Sequence, residues 1–281
     1  MKIIAIIGSP RGRGNTFGLV ERVVSNLITI DPLLEYEYVF LSEKRFDNCI
    51  GCQKCLTHGE QMCPVKDDMA LIKEKMDAAD GIILASPVYA AGAPAIFKTF
   101  IDRHAYLIHR PRYFDTAFLN IVTDGISGYK SVIKQMMHIV SGGKFAGNLH
   151  IKNAPVPMKN ARVKTIKKIN HASIRFYREL RSMKRHLPSL YDFGWFYTFK
   201  TLSQNPVYQY YYPANQAYYH DKKNYFYDIK GHLFKKMFGK MMGFMMRRSL
   251  MFQYDLKTND ATLNVHKKNF HEWLDKENDL D

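Results

Sequence analysis

The chain has 281 residues, 46% of them hydrophobic, enough apolar material for one large core and a smaller second unit. No apolar run is long enough to span a membrane, because residues 233–252 are interrupted by Lys235, Lys236, Lys240, Arg247 and Arg248. Met1-Lys2 leads straight into a strand-like run without a signal-peptide pattern, so the sequence predicts a cytoplasmic protein. Of the formal charge of +15, residues 151–186 supply +10 from 11 basic and one acidic side chain, which excludes an evenly charged surface.

Apolar runs at 2–7, 34–41, 81–86, 116–123 and 145–152 read as strands. Helical spacing predicts helices over 15–29, 67–78, 94–108, 127–140 and 160–186. This alternation implies a doubly wound, five-stranded parallel sheet with both faces covered, flavodoxin-like or Rossmann-like in order. In the last helix Ile166, Ile169, Phe176, Leu180, Met183 and Leu187 form the packing face. Lys164, Lys167, Lys168, Arg175, Arg178, Arg181 and Arg185 form the other, read first as a solvated surface. Nucleic acid is disfavoured, since no recognised binding module accompanies these charges; peripheral contact with an anionic membrane is the sharper alternative.

The rhythm stops near residue 186, which divides the chain into an α/β domain at 1–186 and a C-terminal extension at 187–281. Residues 191–227 hold 15 of the 38 aromatic residues and suit an interface or a lid over a substrate pocket. Residues 232–248 repeat Phe234, Met237, Phe238, Met241, Met242 and Met245 at helical spacing opposite lysines. Such a helix fits burial in a homo-oligomer interface or contact with a membrane surface.

Three loops carry the binding signals. Between the first strand and first helix runs Gly8-Ser9-Pro10-Arg11-Gly12-Arg13-Gly14-Asn15-Thr16. A strand-to-helix junction gathers backbone N–H groups and a positive helix end, and Ser9, Asn15, Thr16 and Arg11 or Arg13 add donors suited to a phosphate. The run lacks the Gly-Lys-Ser/Thr ending of a nucleoside-triphosphate loop. The third strand ends in Ser86-Pro87-Val88-Tyr89 and the fourth in Thr123-Asp124-Gly125. In flavodoxin order these ends meet at the topological switch point, where a mononucleotide sits. Tyr89 would cover or edge its ring, with backbone groups of residues 87–90 and 123–125 hydrogen-bonded to it.

All four cysteines lie at Cys49, Cys52, Cys55 and Cys63, inside a loop spanning 44–66. The Cys-x2-Cys-x2-Cys spacing with a distant Cys-Pro suits a [4Fe–4S] cluster. A four-cysteine zinc site and free or disulfide-forming thiols are the alternatives.

Gly8-Ser-Pro-Arg, Gly14-Asn-Thr16, Cys-Ile-Gly-Cys-x2-Cys, Asp67-Asp68-Met69, Ser86-Pro-Val-Tyr89, and Phe97-Lys98 with Ile101-Asp102-Arg103 occur in one order over about residues 1–185. Together they resemble the flavodoxin-fold NAD(P)H-dependent FMN reductases, in the branch resembling iron–sulfur flavoproteins. The resemblance implies FMN phosphate at Ser9, Arg11, Asn15 and Thr16, and the flavin ring at Pro87, Val88 and Tyr89. It implies a cubane at the four cysteines, while Thr123, Asp124 and Gly125 match the family less closely. Lys98, Asp102 and Arg103 read as a helix-surface ion pair near a subunit interface. The implied activity is transfer of reducing equivalents from NAD(P)H through flavin to a quinone, aromatic, flavin or protein acceptor, within a homo-oligomer. The flavin carries the chemistry, so no catalytic side chain is assigned. The alternative is a non-enzymatic carrier exchanging electrons with ferredoxin-like partners.

Overall fold

The computed structural model describes residues 1–153, 161–229 and 233–253, and the chain divides into two compact units, Met1–His186 and Leu187–Asp281. The first contains β1 (Lys2–Ile7), α1 (Asn15–Ile30), β2 (Glu35–Phe40), α2 (Lys54–Thr57), α3 (Met69–Asp77), β3 (Gly81–Pro87), α4 (Ala95–Asp102), α5 (Tyr106–His109), β4 (Ala117–Asp124), α6 (Tyr129–Val140), β5 (Lys144–Lys152) and α7 (Ala161–Arg181). The five strands are all parallel in the order β2-β1-β3-β4-β5, the flavodoxin order.

The strands are apolar runs because a parallel sheet is covered on both faces. On one face Ile3, Ala5, Ile7, Ile83 and Leu119 meet Phe17, Val20, Val24 and Leu27 of α1 and Ile169, Phe176 and Leu180 of α7. On the other, Ile4, Ile6, Ile82, Leu84 and Val122 meet α3 through α6, including Met69, Phe97, Phe100 and Met136. Helix α1 stops at Asp31, where the following Pro32 disfavours continuation.

Two elements differ from the sequence expectation. The helix predicted over 94–108 is two helices, because the chain after Asp102 tightens into His104 N–H to Ile101 O and Ala105 N–H to Asp102 O bonds. The helix predicted over 160–186 ends at Arg181, and residue 160 lies outside the described residues. Its packing face is therefore shorter: Ile169, Ala172, Phe176 and Leu180 are buried, whereas Met183 is 96% exposed. The cations Lys164, Lys167, Lys168, Arg175, Arg178 and Arg181 are exposed, the solvated face of an amphipathic helix.

The second unit contains α8 (Leu190–Leu202), α9 (Pro206–Tyr211), α10 (Pro213–Tyr219) and α11 (Leu233–Gln253). Ser189 and Asp192 form a reciprocal capping box on α8. The aromatic residues bury one another: Phe193, Phe196, Tyr219 and Tyr225 form the core of this unit, with Phe196 in contact with Tyr219, Tyr225 and Phe226. Such pairs add about 0.5–1.5 kcal/mol each beyond the area they bury. No helix among the described residues is long and apolar enough to cross a membrane.

Phe176 is fully buried against the sheet, with its ring and the Leu180 side chain filling the space where a side chain at Gly81 would stand. Replacing Phe176 by alanine is expected to lower unfolding stability by about 3–5 kcal/mol. Urea titration of the variant checks this, and a loss below about 1 kcal/mol would contradict the packing.

Candidate functional site

Because the strands are parallel, the loops after β1, β3 and β4 leave the same edge of the sheet. The first loop passes directly over α4: a side chain at Gly8 would stand 2.2 Å from the Phe97 ring, and Gly8 N–H donates to Ala85 O at 2.7 Å. Only glycine allows this approach, and it aims the loop across the ends of β1 and β3. The chain then turns into α1, whose first turn has neither a side-chain cap nor an acidic residue. The N–H groups there remain available to an anion, and the helix dipole favours one.

The donors around this helix end are unequal. Ser9 is buried, with its hydroxyl accepting from Arg11 N–H at 3.3 Å. Arg13 is held elsewhere, paired with Glu43 at 2.7 Å and lying 4.4 Å over the Phe40 ring. Arg11 is exposed beside Gly14, and its guanidinium has no partner among the described residues. Asn15 is exposed, while Thr16 is buried and its hydroxyl shares a 2.7 Å hydrogen bond with that of Thr123. That bond ties the first loop to the end of β4.

The second loop is a tight turn. Tyr89 and Gly92 exchange two backbone hydrogen bonds at 2.9 Å, and the two residues between them, Ala90 and Ala91, have φ of 47° and 62°. Two successive alanines in the left-handed region cost about 1–2 kcal/mol each, a strain typical of ligand-clamping loops. The turn is braced by Val88 N–H donating to Thr123 O at 2.8 Å. It is braced again by Gly128, where a side chain would lie 2.8 Å from both Ala91 Cα and Val88 Cγ1. Pro87 is buried, Val88 half-buried, and Tyr89 40% exposed at the rim.

Behind the third loop the buried Asp124 carboxylate accepts from His150 Nε2 at 2.8 Å, and the His150 ring stacks on Tyr129 at 3.8 Å and 5°. The Asp124 side chain thus supports the loop, leaving its ligand contacts to backbone. The N–H groups of Ala90, Ala91, Gly125, Ile126 and Ser127 have no hydrogen-bond acceptor among the described residues. An uncapped helix end, one free guanidinium and unpaired N–H groups from two neighbouring loops suit a phosphate joined to a planar, acceptor-rich ring.

The cysteine loop forms a second pocket. Cys49, Cys52, Cys55 and Cys63 line one cavity with Lys73 and Arg103 at its wall. All four thiols are free, Cys49 and Cys52 exposed and the others half-buried. Burial, and then the neighbouring Cys49, push the Cys55 thiol up, with Lys73 opposing. No three His, Cys, Asp or Glu side chains among the described residues are gathered tightly enough to hold a single metal ion.

Arg103 closes the ends of this loop upon each other. Its guanidinium donates to Asp47 O at 2.9 Å, to Val65 O at 3.2 Å, and to both oxygens of Asp67 at 2.7 and 3.1 Å. The two side chains are 3% and 2% exposed, so Arg103 is a buried anchor, unlike the exposed Lys98–Asp102 pair on α4. Burial raises the Asp67 pKa, but hydrogen bonds from Arg103, Asp47 N–H and Met69 N–H and the Arg103 charge outweigh it, holding the carboxyl below its ordinary value. Arg110 donates to Leu56 O at 2.9 Å and to Cys55 O, fixing the middle of the loop.

A family model described as NADPH-dependent FMN reductase matches residues 1–155, more than half of the chain. The chain belongs to the NADPH-dependent FMN reductase family. An iron–sulfur flavoprotein of Methanocaldococcus jannaschii is 44% identical over 103 residues, 37% of this chain and 51% of that protein. One from Clostridioides difficile is 30% identical over 154 residues, 54% of this chain and 68% of that protein. The chain spans about half the length of the curated relatives that match it at 40% identity or better. The crystal structure of RosB with bound 8-demethyl-8-formylriboflavin-5'-phosphate has the same fold, with a TM-score of 0.52 at 13% identity, covering 83% of this chain and 92% of that one.

For this FMN reductase family member, the structure brings Ser9, Arg11, Asn15, Thr16, Pro87, Val88, Tyr89, Thr123, Asp124 and Gly125 to one sheet edge, and the four cysteines to one pocket. Sequence reasoning missed the supports: Phe97 beneath Gly8, His150 and Tyr129 behind Asp124, and Lys73 and Arg110 around the thiols. Their partners lie tens of residues away and leave no local pattern.

Asp67→Asn is expected to lower stability by about 3–5 kcal/mol, because it leaves the buried Arg103 charge uncompensated. The folded pKa of Asp67 is depressed, so its contribution is full above about pH 4 and is lost as pH falls through the folded value. Urea midpoints measured against pH should therefore fall less steeply on the acid side for the variant; parallel profiles would contradict the role given to Asp67.

Proposed function

We propose that the chain is an FMN-dependent oxidoreductase. It takes reducing equivalents from NAD(P)H and passes them to a quinone, aromatic, flavin or protein acceptor, with a [4Fe–4S] cluster in the cysteine pocket. The observation that carries this reading is the uncapped start of α1 beside the unpaired Arg11, at the edge where the β3 and β4 loops present unpaired N–H groups. In this reading Ser9, Arg11, Asn15 and Thr16 hold the phosphate, and Pro87, Val88 and Tyr89 border the ring. Backbone groups of Thr123, Asp124 and Gly125 complete its polar contacts.

FMN, when bound, supplies hydride acceptance and release of electrons singly or in pairs. The chain's own part is to hold and shield. The Thr16–Thr123 bond and the Val88–Thr123 bond keep the loops at fixed spacing. The Asp124–His150–Tyr129 stack stops the third loop from sagging, and Tyr89 covers the open rim.

For the second pocket, four cysteines lining one cavity, three of them in the Cys-x2-Cys-x2-Cys spacing, support a multi-iron cluster. Lys73 and Arg103 at its wall offset the negative charge that four thiolates bring. The exposure of Cys49 and Cys52 also supports the second reading, a carrier that hands single electrons to a ferredoxin-like protein. Sustained oxidation of NADPH or NADH with a quinone acceptor distinguishes the two, since a pure carrier shows no turnover.

Two variants test the assignments. Arg11→Ala should weaken FMN binding about tenfold, the worth of one charge-assisted phosphate contact of about 1.5 kcal/mol. Quenching of flavin fluorescence during titration measures it, and unchanged affinity would remove Arg11 from the phosphate site. A Cys52→Ala, Cys55→Ala double variant should lose iron and sulfide yet keep FMN. Loss of both together would contradict two separate pockets.

A further inference from the structure

We propose that α11 docks the protein on an anionic lipid surface, lying in the membrane plane with its apolar face in the headgroup layer. The helix has two opposed faces of different character. Inward, it packs on α8 through glycine: a side chain at Gly239 would stand 2.5 Å from Phe193, and one at Gly243 would stand 2.6 Å from Tyr197. From the other side, one at Gly194 of α8 would stand 2.2 Å from Met242. Glycines on both helices let them approach closely, with Phe193 and Met242 seated against the glycines of the other helix, while the remaining large apolar side chains of α11 lie off this contact.

They point outward. Leu233, Phe234, Met237, Met241, Phe244 and Met245 are each between 50% and 75% exposed. At 3.6 residues per turn they fall within an arc of about 120°, centred opposite the glycine face. Lys236, Lys240 and Arg247 follow one border of that arc, and the exposed Arg248 lies within its last turn. Lys235 and Lys236 donate to Pro188 O at 3.4 Å and Ile229 O at 2.8 Å.

Charge selects the occupant. Residues 233–253 carry five cations and no acid. A second copy meeting this face about a two-fold axis would set cations against cations. Of the three described acids of this unit, Asp192 is held in the Ser189 cap and Asp221 by Lys222, and Asp228 is exposed. An anionic bilayer answers both features, burying the Met and Phe side chains while its headgroups meet the cations. Leu233–Gln253 does not cross the membrane, for it lacks the unbroken apolar length.

Co-sedimentation of the full chain with vesicles tests this. At low salt the protein should pellet with phosphatidylcholine–phosphatidylglycerol vesicles and stay in solution with phosphatidylcholine alone. Replacing Phe234, Met237, Met241, Phe244 and Met245 by serine should abolish pelleting while the thermal unfolding transition is unchanged, since these side chains are exposed. Lys240→Gln and Arg248→Gln should each weaken binding about fivefold. No pelleting at low salt overturns the proposal, as does pelleting undiminished in the serine variant. An assembled protein that the serine variant breaks into monomers, without lipid binding, also overturns it and gives the face to a second copy.

Discussion

All five strands of the Met1–His186 unit run in the same direction, and this constraint places everything chemical at one edge of the sheet. Right-handed crossovers send the connections from β1 and from β3 to opposite faces, so a crevice opens where they part. Into that crevice face the loops after β1, β3 and β4. The contact of Gly8 with Phe97, the Thr16–Thr123 hydroxyl bond and the close approach of Gly128 to Ala91 make the three loops one frame. A ligand entering it meets N–H groups already held in place and without protein acceptors among the described residues, which reduces the ordering cost of binding.

The cysteine loop follows a different logic. It has few apolar contacts of its own, and its backbone is held by guanidinium groups that reach it from elsewhere. Arg103 grips both ends through Asp47, Val65 and Asp67, and Arg110 grips the middle at Cys55 and Leu56. The buried Arg103–Asp67 pair also joins the end of α4 to the start of α3, so the same α4 that carries Phe97 under the β1–α1 loop positions the cysteine loop. This gives the two pockets a common support without merging them.

Much of this was legible in the sequence, for physical reasons that can be named. Parallel strands buried on both faces must be apolar throughout, so β1, β3 and β4 announce themselves, and a junction rich in glycine and hydroxyls marks the turn from β1 into α1. Arg103 was misread as a surface ion-pair partner because its acid, Asp67, lies far off in sequence while Asp102 stands beside it. The left-handed Ala90–Ala91 turn was illegible for the opposite reason: alanine gives no sign of positive φ, and only the facing Gly128 and Tyr89–Gly92 bonds enforce it. In α11 the methionines and phenylalanines were read as one stripe, yet glycine makes the buried face, which leaves Phe238 and Met242 half-covered and Met237, Met241 and Met245 outside.

Two separate cofactor pockets on one flavodoxin-like frame can be tested by anaerobic purification followed by assay of flavin, iron and sulfide on one sample. One FMN with about four irons and four sulfides per chain is expected, with a broad thiolate-to-iron absorbance beneath the flavin bands. Protein that takes up no FMN when the cofactor is supplied, or that binds FMN but holds zinc or no metal after anaerobic iron and sulfide reconstitution, would contradict it.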